Sequence, residues 1–244
     1  QNHKGSQKGM DDTHTLMNIS PQVGKGFNRN YWSRFEAFVK QLTRRKGAEV
    51  YVVTGPLYIP KRSDSGKGWA MQHPMIGTPP RMVAVPTHFF KVILLETPAS
   101  GHQDRKTYAC GAFVMPNYPI DASMPLEAFA VPLSALETIS GQQFFPGLIT
   151  EDTRLLLNNA AARIHQNGLA VLKAAGKSGV PLLTAGEGAP DTSSTPAVMD
   201  AGKLPSGGAT PGGGFSHLCD SVQCKLPAED FWLSSSNSKQ TLEE

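Results

Sequence analysis

TLMNISPQVGKGFNRNYWSRFEAFVKQLTRRKG, residues 15–47, is the stretch whose reading decides the fold. The run Thr15 to Ser20, broken by Pro21 and a loop carrying Gly24 and Gly26, reads as a short strand and its exit turn. From Arg29 to Lys46 the apolar residues Tyr31, Trp32, Phe35, Phe38, Val39 and Leu42 recur at spacings of three and four, and Gly47 follows. That pattern predicts an amphipathic helix with a glycine stop. Arg44, Arg45 and Lys46 fall in its last turn, where positive charge suits the carbonyl end of the helix dipole and could equally meet phosphate.

Downstream, Glu49 to Ile59 carries a continuous apolar run at 50–53 bounded by Gly55 and Pro56, which predicts a strand buried on both faces. Arg81–Val85 and Phe89–Glu96 read as two further strands joined by a turn at Pro86, and Tyr108–Met115 as another. Strands in succession with few helices between them favour an antiparallel sheet of an α+β protein over a parallel βαβ array. A helix is expected over 131–140, ending at Gly141. A second opens at Thr150-Glu151-Asp152, with a hydroxyl cap and an acidic first turn, and is expected to be interrupted at Gly168.

Residues 176–214 differ in kind: 28 of the 39 are Gly, Pro, Ser, Thr or Ala, none is aromatic and five are charged. Such a composition buries too little apolar surface to offset its ordering entropy, so a flexible insertion is expected. The organisation read from sequence is therefore a domain over 1–147, a helical insertion at 148–175, the flexible insertion at 176–214, a return to the domain at 215–233 and a polar tail at 234–244.

The chain has 244 residues, 39% hydrophobic, with 23 Lys/Arg against 20 Asp/Glu. That fits one globular domain with appendages. No stretch reaches the roughly 18 consecutive apolar residues of a membrane span. Three cysteines exclude a disulfide-built scaffold, although Cys219 and Cys224 are close enough to invite a local bridge, leaving Cys110 single. Charge is uneven: residues 1–106 carry 16 Lys/Arg and 7 Asp/Glu, residues 107–244 carry 7 and 13. A basic half suits a polyanionic partner or plain solubility.

Polar residues concentrate at the strand-loop-helix junction: Asn18 and Gln22, then Asn28, then Glu36. Two readings of Asn28 are open. It can cap the helix entrance, accepting hydrogen bonds from first-turn amides. Alternatively its amide oxygen can bind a hard divalent ion such as magnesium, which keeps most of its shell as water and phosphate and needs few protein ligands. Glu36, eight residues on, lies roughly 12 Å along an ideal helix, so it suits a water-orienting role better than direct coordination, or else is a surface carboxylate. Lys25, Arg29, Lys40 and Arg44 are candidate phosphate contacts, with Lys61, Arg62 and Lys67 beside them; each can also be an ordinary solvated charge.

Several ordered motifs together carry a family resemblance: Asn2-His3-Lys4, Ser6 to Thr13, Asn18-Ile19-Ser20-Pro21-Gln22, Asn28-Arg29-Asn30-Tyr31-Trp32 with Glu36, Val50 to Tyr58, Val85-Pro86-Thr87-His88-Phe89-Phe90-Lys91, Ala112 to Asn117, and Phe144-Phe145-Pro146. The chain resembles the DNA/RNA non-specific endonucleases over about residues 1–147, with a weaker echo at 217–226. The resemblance implies a ββα-metal site beside an antiparallel sheet, incomplete at the N-terminus, that cleaves DNA and RNA with Mg2+ or Mn2+. It assigns Asn28 to the metal, Glu36 to the orientation of water and Asn18 to the active site. A mitochondrial location and a homodimer are implied in the same way.

One motif of that family is absent. No Asp-Arg-Gly-His occurs in these 244 residues; His3 matches the downstream Asn-His pair, and His14 also falls elsewhere. Gln1 lies inside a family motif, residues 1–14 show no leader pattern, and the expectation is a chain that starts in mid-domain and is inactive by itself. The competing expectation is a catalytically dead nucleic-acid-binding or assembly module.

Overall fold

The computed structural model describes residues 6–13, 19–63, 67–99, 102–176 and 214–228. The strand expected over 15–20 falls outside them except for Ile19 and Ser20, which are irregular, and residues 177–213 of the expected flexible insertion and 229–244 also fall outside. In chain order the elements are helix α1 (Gln7–Thr13), a widened helical segment Gly24–Trp32 running into α2 (Ser33–Leu42), β1 (Glu49–Leu57), β2 (Lys61–Arg62), β3 (Trp69–Ala70), β4 (Met75–Thr78), β5 (Arg81–Ala84), β6 (His88–Ala99), β7 (His102–Pro116), a 3-10 turn Leu126–Phe129, β8 (Ala130–Val131), α3 (Leu133–Ser140), α4 (Glu151–Ala174), β9 (Phe215–His217) and α5 (Leu218–Ser221).

The architecture is α+β, as the succession of strands predicts. The main sheet runs β1-β6-β7-β8 with antiparallel pairs throughout, and β9 adds to β7 in parallel. Successive strand residues point to opposite faces. Phe89, Lys91 and Ile93 therefore face one way with Phe113, and α2 covers them: Phe35 meets Phe113 edge-on with ring centroids 5.4 Å apart. On the other face Phe90 packs against Phe144 at 5.7 Å. Phe35, Phe38, Val39 and Leu42 are buried, so the three-and-four spacing read from the sequence is the core stripe of α2.

Three expectations are corrected. The strand predicted to be buried on both faces is, among the described residues, the sheet edge: β1 pairs with β6 alone, most of its exposed and covered residues alternate, and Tyr51 is 45% exposed. The doubly buried strand is β6, buried continuously from Phe89 to Glu96. Secondly, Arg81–Ala84 does not join the main sheet; it pairs with β4 as a separate hairpin, so the turn at Pro86 links two sheets instead of two neighbours. Thirdly, α4 passes through Gly168 without a break. The glycine is there because a Cβ would lie 2.5 Å from the backbone nitrogen of Ala128. Helix and 3-10 turn touch at that point, and Leu157, Ala161, Ile164 and Leu172 of α4 are buried around it.

The chain segment after β9 is tied down. Cys219 and Cys224 form a disulfide, with Cys110 free and buried. Arg34 of α2 donates to the carbonyls of Pro227 and Ala122, so the segment is held against α2. Among the described residues no helix is long and apolar enough to cross a membrane.

Candidate active site

The segment Gly24–Trp32 is not an ordinary helix start. Lys25 is extended and Gly26 has φ +84°, where a Cβ would sit 2.5 Å from that of Pro119. Only glycine fits such a close, left-handed position. The loop is then fixed from three sides. Asn30 Oδ1 accepts the Gly26 N–H at 2.8 Å, and the Gly26 carbonyl accepts from Ile120 N–H at 3.2 Å. Asn117, 9% exposed, donates its amide to the carbonyls of Pro86 (2.9 Å) and Pro21 (3.2 Å) and accepts from the Val23 N–H at 2.9 Å.

The backbone of Asn28 is bracketed by wide-turn hydrogen bonds. Its N–H donates to Val23 O, five residues back, and its carbonyl accepts from the Ser33 N–H, five residues on. Such π-type turns are uncommon and recur at functional sites. Here the widened turn directs Phe27 and Trp32, five apart, into the core together, their rings 5.5 Å apart, and leaves Asn28 exposed. The capping reading of Asn28 is thereby corrected: it lies inside the segment, and the side-chain oxygen that captures an entrance N–H is Asn30's.

Asn28 and Glu36 line one open hollow of about 400 Å³, together with Ile19, Ser20, Gln22, Trp32, Thr54, Gly55, Pro56 and Phe89. Four parts of the chain converge to make it: the irregular stretch at 19–22, the widened segment with the first turn of α2, residues 54–56 of β1, and Phe89 of β6. Asn18 lies outside the described residues. Lys25, Arg29, Lys40 and Arg44 are all exposed and none lines the hollow. Lys40 follows Glu36 by four residues and so continues its stripe along α2. Of the further candidates, Arg62 stacks over exposed Trp69 at 5.1 Å from the ring centroid, and Lys61 and Lys67 are exposed.

No histidine lines the hollow among the described residues. His88 precedes the lining residue Phe89 and so turns to the opposite face of the sheet; burial, with the Lys61 charge, pushes its pKa down to about 4. Nor do the described residues contain a group of three or more His, Cys, Asp or Glu side chains able to hold a metal. The side-chain oxygens at the hollow are those of two neutral amides, Gln22 and Asn28, two hydroxyls, Ser20 and Thr54, and a single carboxylate, Glu36, a set poor in charge that suits an ion carrying its own water and a phosphate.

Sequence reasoning missed the parts played by Asn117, Thr54 and Lys91. Lys91 is 1% exposed in β6, its ammonium 4.5 Å from the Trp32 ring centroid and 5.6 Å from that of Phe35. A lone cation in the run Phe89-Phe90-Lys91-Val92-Ile93-Leu94-Leu95 was the available signal. Burial pushes its pKa down to about 8, and the Glu36 carboxylate pulls it up.

The chain is similar to known nucleases. Nuclease 1, mitochondrial, of Schizosaccharomyces pombe is 43% identical over 162 residues, 66% of this chain and 48% of that protein. Endonuclease G, mitochondrial, of Homo sapiens is 45% identical over 148 residues, 61% of this chain and 46% of that protein. A crystal structure of an EndoG/EndoGI complex aligns with a TM-score of 0.49 at 42% identity, over 59% of this chain and 54% of that one. The chain spans about half the length of the curated relatives it matches. The family model of the DNA/RNA non-specific endonucleases matches residues 1–151, a span that contains the widened segment, α2 and strands β1, β6, β7 and β8, and the chain belongs to that family.

Proposed function

We propose that the protein is a metal-dependent, sugar-non-specific endonuclease that hydrolyses phosphodiester bonds of DNA and RNA, with Mg2+ as its ion and Mn2+ as a substitute. The observation that carries the reading is the hollow in which the Asn28 amide and the Glu36 carboxylate meet on the segment matched by the family. The donor set fits a water-rich divalent ion held by Asn28. When bound, that ion supplies positive charge against the scissile phosphate and the departing 3′ oxygen.

The chain's own residues do the rest of the positioning. Asn28 offers a neutral oxygen, which leaves the charge of the ion undiminished. Glu36 accepts a hydrogen bond from water at the hollow and fixes its direction. In this reading Asn18 belongs to the active site as well. Lys25, Arg29, Lys40 and Arg44 attract the phosphate backbone without regard to sequence, which suits action on both DNA and RNA. A general base is still required to take a proton from the attacking water, and no Asp-Arg-Gly-His occurs in the 244 residues. These 244 residues therefore supply the electrophilic half of the reaction.

The test is cleavage of supercoiled plasmid and of RNA with Mg2+ against EDTA. Residues 1–244 alone are expected to be inactive, and the protein extended upstream to include an Asp-Arg-Gly-His segment to cleave both. Asn28→Ala in the extended protein abolishes cleavage with the fold intact; cleavage by that variant at the parental rate refutes the metal assignment. The second reading, a catalytically dead nucleic-acid-binding or assembly module, is favoured by the missing motif. It predicts salt-sensitive DNA binding with no turnover even in the extended protein. The names of the relatives support a mitochondrial location, and family membership supports a homodimer; organelle fractionation and sedimentation equilibrium test these two.

A further inference from the structure

Lys91 has no part in the reading above, yet it is among the most deeply buried side chains of the molecule. It stands opposite Thr54 of β1 and Phe113 of β7 in the sheet register. Thr54, its cross-strand neighbour, lines the hollow, so the lysine projects from the same sheet face toward α2, directly behind that hollow. Trp32 roofs the ammonium at 4.5 Å. Trp32 and Glu36 are four apart on the helix, hence neighbours on one stripe, and both line the hollow.

A methionine would fill this apolar site without the cost of desolvating a charge, and replacing buried charge by an apolar group of similar volume is commonly neutral or stabilising. The ring faces of Trp32 and Phe35 offset part of that cost. What they do not supply is a counter-charge. Among the described residues, Glu36 is the charged group whose field acts on the ammonium, and it is also the carboxylate that lines the hollow.

We propose that Lys91 is a positioning residue for the endonuclease site: its ammonium, clamped beneath Trp32, fixes where the Glu36 carboxylate stands and so holds it ready for the water of the bound ion. The idea rests on the reading of Asn28 and Glu36 given above, but concerns a different element, the centre of β6. A merely structural lysine would stabilise the Trp32 ring and nothing more. A positioning lysine matters to metal binding only while Glu36 is present.

The experiment is a double-mutant cycle in the 244-residue chain, read as Mn2+ affinity by EPR titration with the metal alone. The four proteins are the parent, Lys91→Met, Glu36→Gln and the double variant. Lys91→Met is expected to melt at or above the parent temperature, to weaken Mn2+ binding at least threefold when Glu36 is present, and to leave it unchanged or tighter when Glu36 is Gln. Lys91→Gln, shorter and uncharged, repeats the comparison if Lys91→Met packs poorly. If Lys91→Met changes Mn2+ affinity by the same factor in both backgrounds, the proposal falls and the metal site stands. If the parent binds no Mn2+ and Glu36→Gln changes nothing, the metal reading itself falls and takes the proposal with it. In the extended, cleaving protein the same variant is expected to lower kcat with KM for DNA unchanged; a change confined to KM contradicts a role through Glu36.

Discussion

Asn117 is the residue whose replacement tests most directly how the hollow is held. It sits 94 residues from Val23 in sequence, and its carboxamide ties the stretch that leads to Asn28 to the turn before β6: it accepts from Val23 N–H at 2.9 Å and donates to the carbonyls of Pro21 at 3.2 Å and Pro86 at 2.9 Å. Asn117→Ala removes three bonds, each worth about 1 kcal/mol net, and leaves partners unsatisfied, so a loss of about 3 kcal/mol is expected. For a domain of this size that is a fall in Tm of about 6 to 12 °C. Asn117→Asp is the sharper variant. It keeps the acceptor for Val23 but points carboxylate oxygen at two carbonyls with no proton to share, and a charge so enclosed should cost more than the truncation. Val23 O in turn holds the Asn28 N–H at 2.9 Å, so both variants should weaken Mn2+ binding as well as stability. Thermal melts followed by circular dichroism decide it: Asn117→Asp melting within about 2 °C of the parent would show that these bonds do not anchor the loop.

Four further outcomes follow from particular contacts. Gly26→Ala puts a methyl 2.5 Å from Pro119 Cβ at φ +84°, and is expected to cost about 2 kcal/mol or more and to abolish Mn2+ binding in the EPR titration. Gly168→Ala inverts the usual helix rule, in which alanine gains about 1 kcal/mol over glycine: with Ala128 N 2.5 Å away, denaturant titration should show a loss. His217 is pushed down to about 4 by burial, below the ordinary value of about 6.5, so between those values the unfolded chain binds a proton that the folded chain refuses. Stability should therefore fall as pH drops from 6.5 toward 4, by up to about 3 kcal/mol, with His88 acting in the same direction; a His217→Asn variant should flatten the denaturation profile. Replacing Cys219 and Cys224 by serine removes a link with sequence separation 5, which costs about 2 kcal/mol by loop entropy, measurable as a lower denaturant midpoint.

How much of this could be read from the sequence depends on how local each cause is. The apolar stripe of α2 was legible because it arises within a few residues: Phe35, Phe38, Val39 and Leu42 repeat at helical spacing. Its stop was misplaced: the helix closes at Leu42 with Thr43 as its C-cap, and Gly47, at φ +70°, belongs to the turn that leads into β1. The edge position of β1 was not. An apolar run at 50–53 looks the same at an edge as in a centre, and what distinguishes them is that β1 pairs with β6 alone among the described residues. Gly168 misled for a related reason, since its cause is the backbone of Ala128, forty residues earlier. Asn28 and Glu36 were picked out by residue type and by resemblance, whereas the widened turn that presents Asn28 combines local features, Gly26 at φ +84° and Asn30 accepting its N–H, with distant ones, Asn117 and Pro119. The distant half has no signal near Asn28 in sequence.

That widened turn also explains how residues eight apart come to share one hollow. An α-helix would separate Asn28 from Glu36 by roughly 12 Å along its axis, too far for one ion and its water to touch both comfortably. With bonds spanning five residues on either side of Asn28, the same eight residues make fewer turns, and the amide is displaced outward while Phe27 and Trp32 remain in the core. Restoring regular α-helical geometry would force a choice between burying both rings and exposing the amide. The packing of the apolar side thus maintains the widened turn on the polar side, and the arrangement predicts that core substitutions at Phe27, such as Phe27→Leu, should weaken Mn2+ binding more than Lys40→Gln on the solvent face. If Mn2+ affinity instead survives Phe27→Leu and is lost with Lys40→Gln, surface charge governs the site and the packing argument fails.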